Sequence, residues 1–85
     1  MTIRNRLGLH ARPATVFAET ASGFNADVHV ARADSDHRVD GKSIMQLLML
    51  AATAGTPLVI EASGGDAQEA VDALVALIES AFGEE

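Results

Sequence analysis

The sequence predicts an α/β protein folded as a two-layer sandwich, in which helices cover one face of an antiparallel sheet. Three segments carry apolar residues at helical spacing, and between them lie short segments in which apolar and polar residues alternate. Two of the alternating segments are close enough in sequence to form a hairpin, and few segments are continuously apolar as buried parallel strands are. The predicted order of elements is β-α-β-β-α-β-α.

Four short segments have the character of strands. The amino-terminal "MTIRN" alternates weakly, whereas "ADVHVAR" alternates clearly, with Val28 and Val30 on one side and His29 on the other. "HRVDG" follows the turn-rich "ADSDH" and is the expected return strand of a hairpin. "LVIEA" is rich in β-branched residues and ends at "SGG".

The first predicted helix runs from Ala11 to Gly23, and the glycine is a natural stop signal. Its apolar residues recur at the spacing of one helical face: Ala14, Phe17, Ala18 and Ala21. The second helix is predicted from Ser43 to about Ala52. Ser43 and Gln46 have the spacing of a capping box, which is typical of a helix start.

The final predicted helix follows "SGG", where Asp66 and Glu69 repeat the capping-box spacing, and Gly83 is expected to end it. The residues that we expect this helix to bury are Ala70, Val71, Leu74, Leu77, Ile78 and Phe82.

Composition bounds the class of protein. Eighty-five residues, 48% of them apolar, suit one domain over residues 1–85. The net charge of −6 argues against a nucleic-acid partner, and the absence of cysteine fits a reducing compartment. The polar "MTIRNR" leads into no apolar run of secretory length, and "IMQLLMLAATAG" is too short to span a bilayer. We therefore expect a cytoplasmic protein with no membrane contact.

The segment "LGLHARPAT", residues 7–15, places a histidine where the first helix is predicted to begin. If His10 is the N-cap, the backbone N–H groups of Ala11 and Arg12 have no acceptor within the helix and form a small anion site. Arg12 adds a guanidinium that can hold two oxygens of a phosphoryl group. Because Pro13 disfavours helical dihedral angles at Arg12, a helix that begins one residue later is the alternative.

A neutral imidazole nitrogen is a competent nucleophile near neutral pH, and a helix N-terminus with a neighbouring arginine disfavours the imidazolium. Neither a second base nor a carboxylate pair for magnesium lies within the motif. That favours a carrier over an enzyme with turnover, and predicts neither a cofactor nor a metal site. The structural alternative is that His10 only caps a helix and Arg12 is a solvated charge, although histidine is a poorer cap than Ser, Thr, Asp or Asn.

Three segments, "GLHARPAT", "GKSIM" and "EASGGDAQEAVDAL", resemble the histidine-containing phosphocarrier (HPr) family of the bacterial phosphoenolpyruvate-dependent phosphotransferase system. The resemblance covers nearly the whole chain. It implies that His10 accepts a phosphoryl group on Nδ1 from phospho-Enzyme I and passes it to an Enzyme IIA domain, with Arg12 stabilising the group. It also implies an open-faced β-sandwich, a four-stranded antiparallel sheet with three helices on one face.

The resemblance leaves the branch of the family open. "LLMLAATAG" and "SAFGEE" look like the nitrogen-related members, NPr, whereas "KSIM" is closer to the sugar-system members regulated on a serine. Two departures from the family pattern stand out. The segment before the motif is a few residues shorter than usual, and the hairpin "ARADSDHRVDG" is about two residues longer than the family pattern.

Ser43 has two interpretations that the sequence leaves open. It matches the family position at which a dedicated HPr kinase/phosphorylase modifies some members, and it is also sufficient as an N-cap.

The second helix is too apolar for one that exposes a polar face. We expect Leu47 and Leu50 to face the core. The predicted partner surface comprises Thr15, Ile44, Met45 and Leu48. Deeper core packing or dimerisation is the alternative, although we expect a monomer that binds its partners weakly and briefly.

Other classes of protein fit less well. "DGKS" suggests a phosphate-binding P-loop, but Asp36 stands where that pattern requires glycine. "ADSDH" lacks the leucine of an acyl carrier motif, and the predicted strands contradict an all-helical carrier. His29 and His37 are expected to be exposed and not to bind metal. A regulatory docking protein of the same fold, controlled by phosphorylation at His10 or Ser43, is the serious alternative.

Overall fold

The computed structural model describes residue 2, residues 11–50 and residues 56–80. Six elements lie in these ranges: α1 (Ala11–Ser22), β1 (Asp27–Arg32), β2 (Arg38–Asp40), α2 (Ile44–Met49), β3 (Leu58–Ser63) and α3 (Ala67–Glu79). Their order is the predicted one from the first helix onward. The first predicted strand lies outside the described residues except for Thr2, which forms an antiparallel bridge to Pro57 beside β3.

The three described strands form an antiparallel sheet in the order β2-β1-β3. In this register His29 lies opposite Asp40 on β2 and opposite Glu61 on β3. Val28 and Val30 are buried and His29 is half-buried, which confirms the predicted alternation of β1. The α/β fold with three helices and an antiparallel sheet is therefore confirmed.

The helices pack with the sheet around one hydrophobic core. α3 contacts β3 and β1, while α1 contacts both α2 and α3. The largest side chains that are fully buried in this core include Phe17, Leu47, Leu74 and Ile78. Core residues come from every described element, so the sheet and the helices stabilise one another through burial of apolar surface.

The predicted third helix is partly wrong in its buried face and its end. Ala70, Leu74 and Ile78 are buried, but Val71 and Leu77 are only half-buried because they flank the stripe that faces the sheet. The described helix ends at Glu79, where the Ser80 backbone N–H donates to the carbonyls of Ala76 and Ile78. The predicted Phe82 and Gly83 lie outside the described residues.

The two predicted capping boxes are only partly correct. Ser43 is the N-cap of α2, and its hydroxyl accepts a hydrogen bond from the Gln46 backbone N–H at 3.2 Å. The Gln46 side chain, however, accepts from the backbone N–H of Asp40 at 2.9 Å. Asp66 occupies the N-cap of α3 without a side-chain cap bond, since its carboxylate accepts hydrogen bonds from the turn after α1 instead.

The ends of α1 and α2 can be compared with their predicted positions. α1 ends at Ser22, and the Gly23 backbone N–H donates to the Thr20 carbonyl, as expected of a stop at this glycine. α2 ends at Met49 with Leu50 as its C-cap, so it is shorter than predicted, and Ala52 lies outside the described residues. No helix in the described ranges combines the length and the apolar character that crossing a membrane requires.

Candidate functional site

The first turn of α1 carries the described part of the predicted phosphoryl site. α1 begins at Ala11, so Arg12 is helical despite the proline that follows it, and the alternative of a later start is not observed. Ala11 and Arg12 are exposed, whereas Pro13 and Ala14 are buried against the core. The helix is therefore anchored by its third and fourth residues, and its first two residues remain accessible.

This exposed turn has the properties of an anion site. The backbone N–H groups of Ala11 and Arg12 lie in the first turn of a helix, where they have no acceptor within the helix and where the helix dipole is positive. Within residues 11–50 and 56–80, no carboxylate forms an ion pair with Arg12. The guanidinium is thus available to an anion as far as the described part of the chain is concerned.

Two other predicted residues of the motif have different outcomes. The hydroxyl of Thr15 donates to the Ala11 carbonyl at 2.7 Å, which ties this side chain to the first turn of α1. His10 lies outside the described residues, and its connection to the site is the peptide bond that joins it to Ala11.

The turn before α2 is held by hydrogen bonds to Asp40 and by close packing at Gly41. The side chain of Asp40 accepts from the backbone N–H of Lys42 at 2.9 Å, and its carbonyl accepts from that of Ser43 at 3.1 Å. Gly41 lies so close to Val28 that a Cβ at this position would be 2.6 Å from Val28 Cγ1. These contacts fix the position of Ser43, the second predicted phosphorylation site, at the start of α2.

α2 exposes one apolar side, as predicted. Leu47 is 0% exposed and Leu50 is 5% exposed, so both belong to the core. We define the α2 apolar surface by its four exposed members, with exposed fractions of 39% for Ile44, 78% for Met45, 39% for Leu48 and 69% for Met49. Sequence reasoning missed Met49, although its position four residues after Met45 on one helix was an available signal. The helix that carries this surface packs against α1.

The other two histidines lie on β1 and in the segment before β2. His29, expected to be exposed, is half-buried because β1 has β2 on one side and β3 on the other, whereas His37 is exposed as expected. Arg38 forms an ion pair with Glu61 at 2.5 Å. Among the described residues, no group of three or more acidic or histidine side chains could hold a metal ion.

Comparison with known proteins identifies the family of this chain. The family model for the phosphotransferase-system HPr component, described as "PTS HPr component phosphorylation site", matches residues 1–80. The chain belongs to the HPr family. HPr proteins carry phosphoryl groups within the phosphotransferase system, and they do not act as enzymes.

Relatives in the HPr family are similar over nearly their full length. The phosphocarrier protein HPr of Neisseria meningitidis serogroup B is 52% identical over 82 residues, which are 96% of this chain and 90% of that protein. The phosphocarrier protein NPr of Escherichia coli is 40% identical over 83 residues, covering 98% of this chain and 91% of the relative. The chain is thus similar to both the HPr and the NPr members.

A solved HPr structure also superimposes closely. A crystal structure of HPr from Thermoanaerobacter tengcongensis matches with a TM-score of 0.92 and 45% identity, covering 100% of this chain and 93% of that one. The family fold expected from the sequence motifs therefore applies to this chain.

Proposed function

We propose that the chain accepts a phosphoryl group on Nδ1 of His10 from phospho-Enzyme I and passes it to an Enzyme IIA domain. The observation that carries this proposal is the start of α1 at Ala11, directly after His10 in a chain that matches the HPr family model. In this proposal residues 1–85 are one carrier domain, which acts as a cytoplasmic monomer without a cofactor.

The chemistry needs only a nucleophile and an anion site. The Nδ1 lone pair of His10 attacks phosphorus, a P–N bond forms, and the bond between phosphorus and the leaving atom of the donor breaks. The N–H groups of Ala11 and Arg12 and the Arg12 guanidinium stabilise the phosphoryl oxygens in both directions of transfer. A site of this kind binds the group and releases it again, as a carrier must.

Partner docking is assigned to the side of the molecule that carries α2. The exposed Ile44, Met45 and Leu48 offer apolar contacts to Enzyme I and to the Enzyme IIA domain, and Thr15 lies on α1, which contacts α2. Because the carrier must leave each partner after transfer, we expect a small interface with rapid dissociation. The acidic chain makes nucleic acid an unsuitable partner.

The second candidate function is regulatory docking controlled by phosphorylation. Its support is the geometry of Ser43, whose backbone is extended at φ −110° and ψ 115° and whose side chain lies at the helix start. A phosphate there would be tolerated electrostatically, because a helix start favours negative charge. An HPr kinase/phosphorylase is the enzyme class that would modify it, and the effect would fall on the adjacent α2 apolar surface.

The test of the carrier function uses labelled phosphoenolpyruvate and Enzyme I. We expect the wild-type chain to acquire an acid-labile, base-stable phosphate and His10→Ala to acquire none. His37→Ala is the matched control, because this histidine is exposed in the segment before β2 and outside the motif, and it should be labelled as the wild type is. Labelling that persists in His10→Ala would contradict the site assignment.

Offering Enzyme IIA domains to the phosphorylated chain distinguishes the sugar-system branch, the nitrogen-related branch and the regulatory docking function. Transfer to a sugar-system or to a nitrogen-related Enzyme IIA domain identifies the branch. Binding without onward transfer favours the regulatory function. For Ser43, an ATP-dependent HPr kinase should modify the wild type but not Ser43→Ala, and an unmodified wild type would remove this serine from the proposal.

A further inference from the structure

The sulfur chemistry of this chain is confined to methionine. The sequence has no cysteine, no tryptophan and no tyrosine, but it has three methionines. Methionine thioethers are therefore the side chains that two-electron oxidants such as hydroperoxides attack most readily in this protein. Met1 lies outside the described residues, and the other two, Met45 and Met49, are both in α2.

Met45 and Met49 are unusually accessible. Their exposed fractions of 78% and 69% are well above the 39% of the neighbouring Ile44 and Leu48. The two methionines are four residues apart, so they lie side by side on one face of the helix. Methionine is more often a flexible filler of cores, where its sulfur is shielded from solvent. Here both methionines are mostly exposed, and both belong to the same surface.

We propose that Met45 and Met49 are sites of reversible oxidation by hydroperoxides, and that their sulfoxides weaken docking of the phosphotransfer partners on the α2 apolar surface. The inference rests on the proposed carrier function, because it uses the same surface. It adds a modification site and a chemical signal to that function.

The reaction balances without a bound cofactor. The thioether sulfur attacks the terminal oxygen of the hydroperoxide, an S–O bond forms and the O–O bond breaks. Sulfur loses two electrons, and the peroxide is reduced to water or an alcohol, which retains the proton. A methionine sulfoxide reductase reverses the change with two thiols as reductant, yielding the thioether, a disulfide and water.

The fold is arranged so that oxidation changes the surface and leaves the core intact. From this part of the chain Leu47 and the C-cap residue Leu50 belong to the hydrophobic core, and neither methionine does. A sulfoxide replaces an apolar group by a polar one at a site already in water, which costs little in the free protein. The same group must be desolvated when a partner covers it, so the penalty appears on binding.

The experiment oxidises the chain alone and then measures transfer. The protein is treated with hydrogen peroxide, the peroxide is removed with catalase, and the number of added oxygen atoms is read by mass spectrometry. Trypsin separates Met1 from the other two, because no lysine or arginine follows Lys42 and both methionines stay in the peptide 43–85. Phosphoryl transfer from phospho-Enzyme I is then measured against chain concentration.

Oxidation of both methionines should raise the KM for the chain about tenfold, as expected if part of one apolar side-chain contact is lost. Treatment with methionine sulfoxide reductase should restore the original KM. For the Met45→Leu, Met49→Leu double variant, the KM after peroxide treatment is divided by the KM of the same variant without treatment. This ratio should stay near one. The thermal unfolding midpoint of the oxidised chain should remain close to that of the untreated chain.

Three results would overturn this inference and leave the proposed carrier function intact. A doubly oxidised chain with an unchanged KM shows that the surface does not sense the modification. A large fall in the unfolding midpoint shows damage to the fold. A double variant that loses transfer on oxidation as the wild type does shows that other groups are responsible. An untreated chain that accepts no phosphate overturns the proposed carrier function itself, and this inference with it.

Discussion

Asp66 is hydrogen-bonded to Ala26, a residue 40 positions earlier in the sequence: its Oδ1 accepts from the Ala26 backbone N–H at 2.8 Å. The other oxygen accepts from the Asn25 backbone N–H at 2.9 Å. The hydrogen bond from Asn25 has the largest effect on the pKa of the Asp66 carboxyl. Together with the bond from Ala26 and the smaller effect of the Lys42 charge, it keeps this pKa below its ordinary value of 3.8. The start of α3 is thereby joined to the turn after α1.

Asp66→Asn should lower the free energy of unfolding at neutral pH, because the amide cannot supply two anionic acceptors. A carboxyl whose pKa is depressed in the folded state stabilises the fold fully above its unfolded pKa and loses this contribution as the pH falls through the folded pKa. Urea unfolding from neutral pH down to about pH 2 checks the sign. The difference between wild type and Asp66→Asn should shrink towards the acid end, and Glu19→Gln, an exposed change on α1, should show no such difference.

Gly64→Ala should destabilise the protein and Gly65→Ala should not. Gly64 has a φ of 136°, and a Cβ there would lie 2.9 Å from the Ala26 Cα, whereas nothing lies within 4 Å of a Cβ at Gly65. We expect a loss of about 1–3 kcal/mol for Gly64→Ala. The thermal unfolding midpoints of the two variants are compared with each other. Equal midpoints would contradict the strained geometry at Gly64.

Leu47→Ala and Leu48→Ala should separate stability from docking. Leu47 is fully buried, so its truncation should cost about 2–5 kcal/mol of unfolding free energy. Leu48 is part of the α2 apolar surface, and its truncation should leave the fold nearly as stable while raising the KM for transfer from Enzyme I. Denaturant unfolding and transfer kinetics are measured on both variants. A Leu48→Ala chain that transfers with an unchanged KM would remove this residue from the partner surface.

Arg12→Ala should slow phosphoryl transfer without unfolding the chain, because the residue is exposed in the first turn of α1. Hydrogen bonds to a charged group contribute about 1.5–3 kcal/mol, which corresponds to a loss of about tenfold to a hundredfold in rate. Arg12→Lys should recover part of the rate, since it keeps the charge but loses the planar fork. Rapid-quench measurement of the label on His10 follows both variants, and wild-type rates for Arg12→Ala would exclude the assigned role.

Ser43→Ala should destabilise the protein by about 1 kcal/mol through the loss of the N-cap, whereas Ser43→Gly should cost only a few tenths. The wild-type cap bond, from the Gln46 backbone N–H to the serine hydroxyl, is the contact that both variants remove. Chemical denaturation distinguishes the two, and it also gives the stability correction needed before any kinase experiment with Ser43→Ala. Identical midpoints for wild type and Ser43→Ala would show that the cap contributes nothing to the folded state.

Local periodicity determined much of the fold. The spacing of apolar residues predicted α1 and α3, and the alternation around Val28 and Val30 predicted β1, because each pattern reports which face of one element is buried. The division of α2 between the core and the surface followed in the same way from Leu47 and its neighbours. The motif around His10 was recognised from residue types and their order alone, and that residue's placement lies outside the described part of the chain.

Tertiary structure decided where the polar side chains act. Asp66 and Glu69 have the spacing of a capping box, yet the Asp66 carboxylate accepts from the turn after α1, because that turn presents two backbone N–H groups beside it. Likewise, the side-chain oxygen of Gln46 accepts from the backbone N–H of Asp40 and not from that of the cap residue Ser43. A local pattern reports the burial preference of an element, whereas a hydrogen bond between residues 40 positions apart depends on how the elements pack, and only the folded chain brings those partners together.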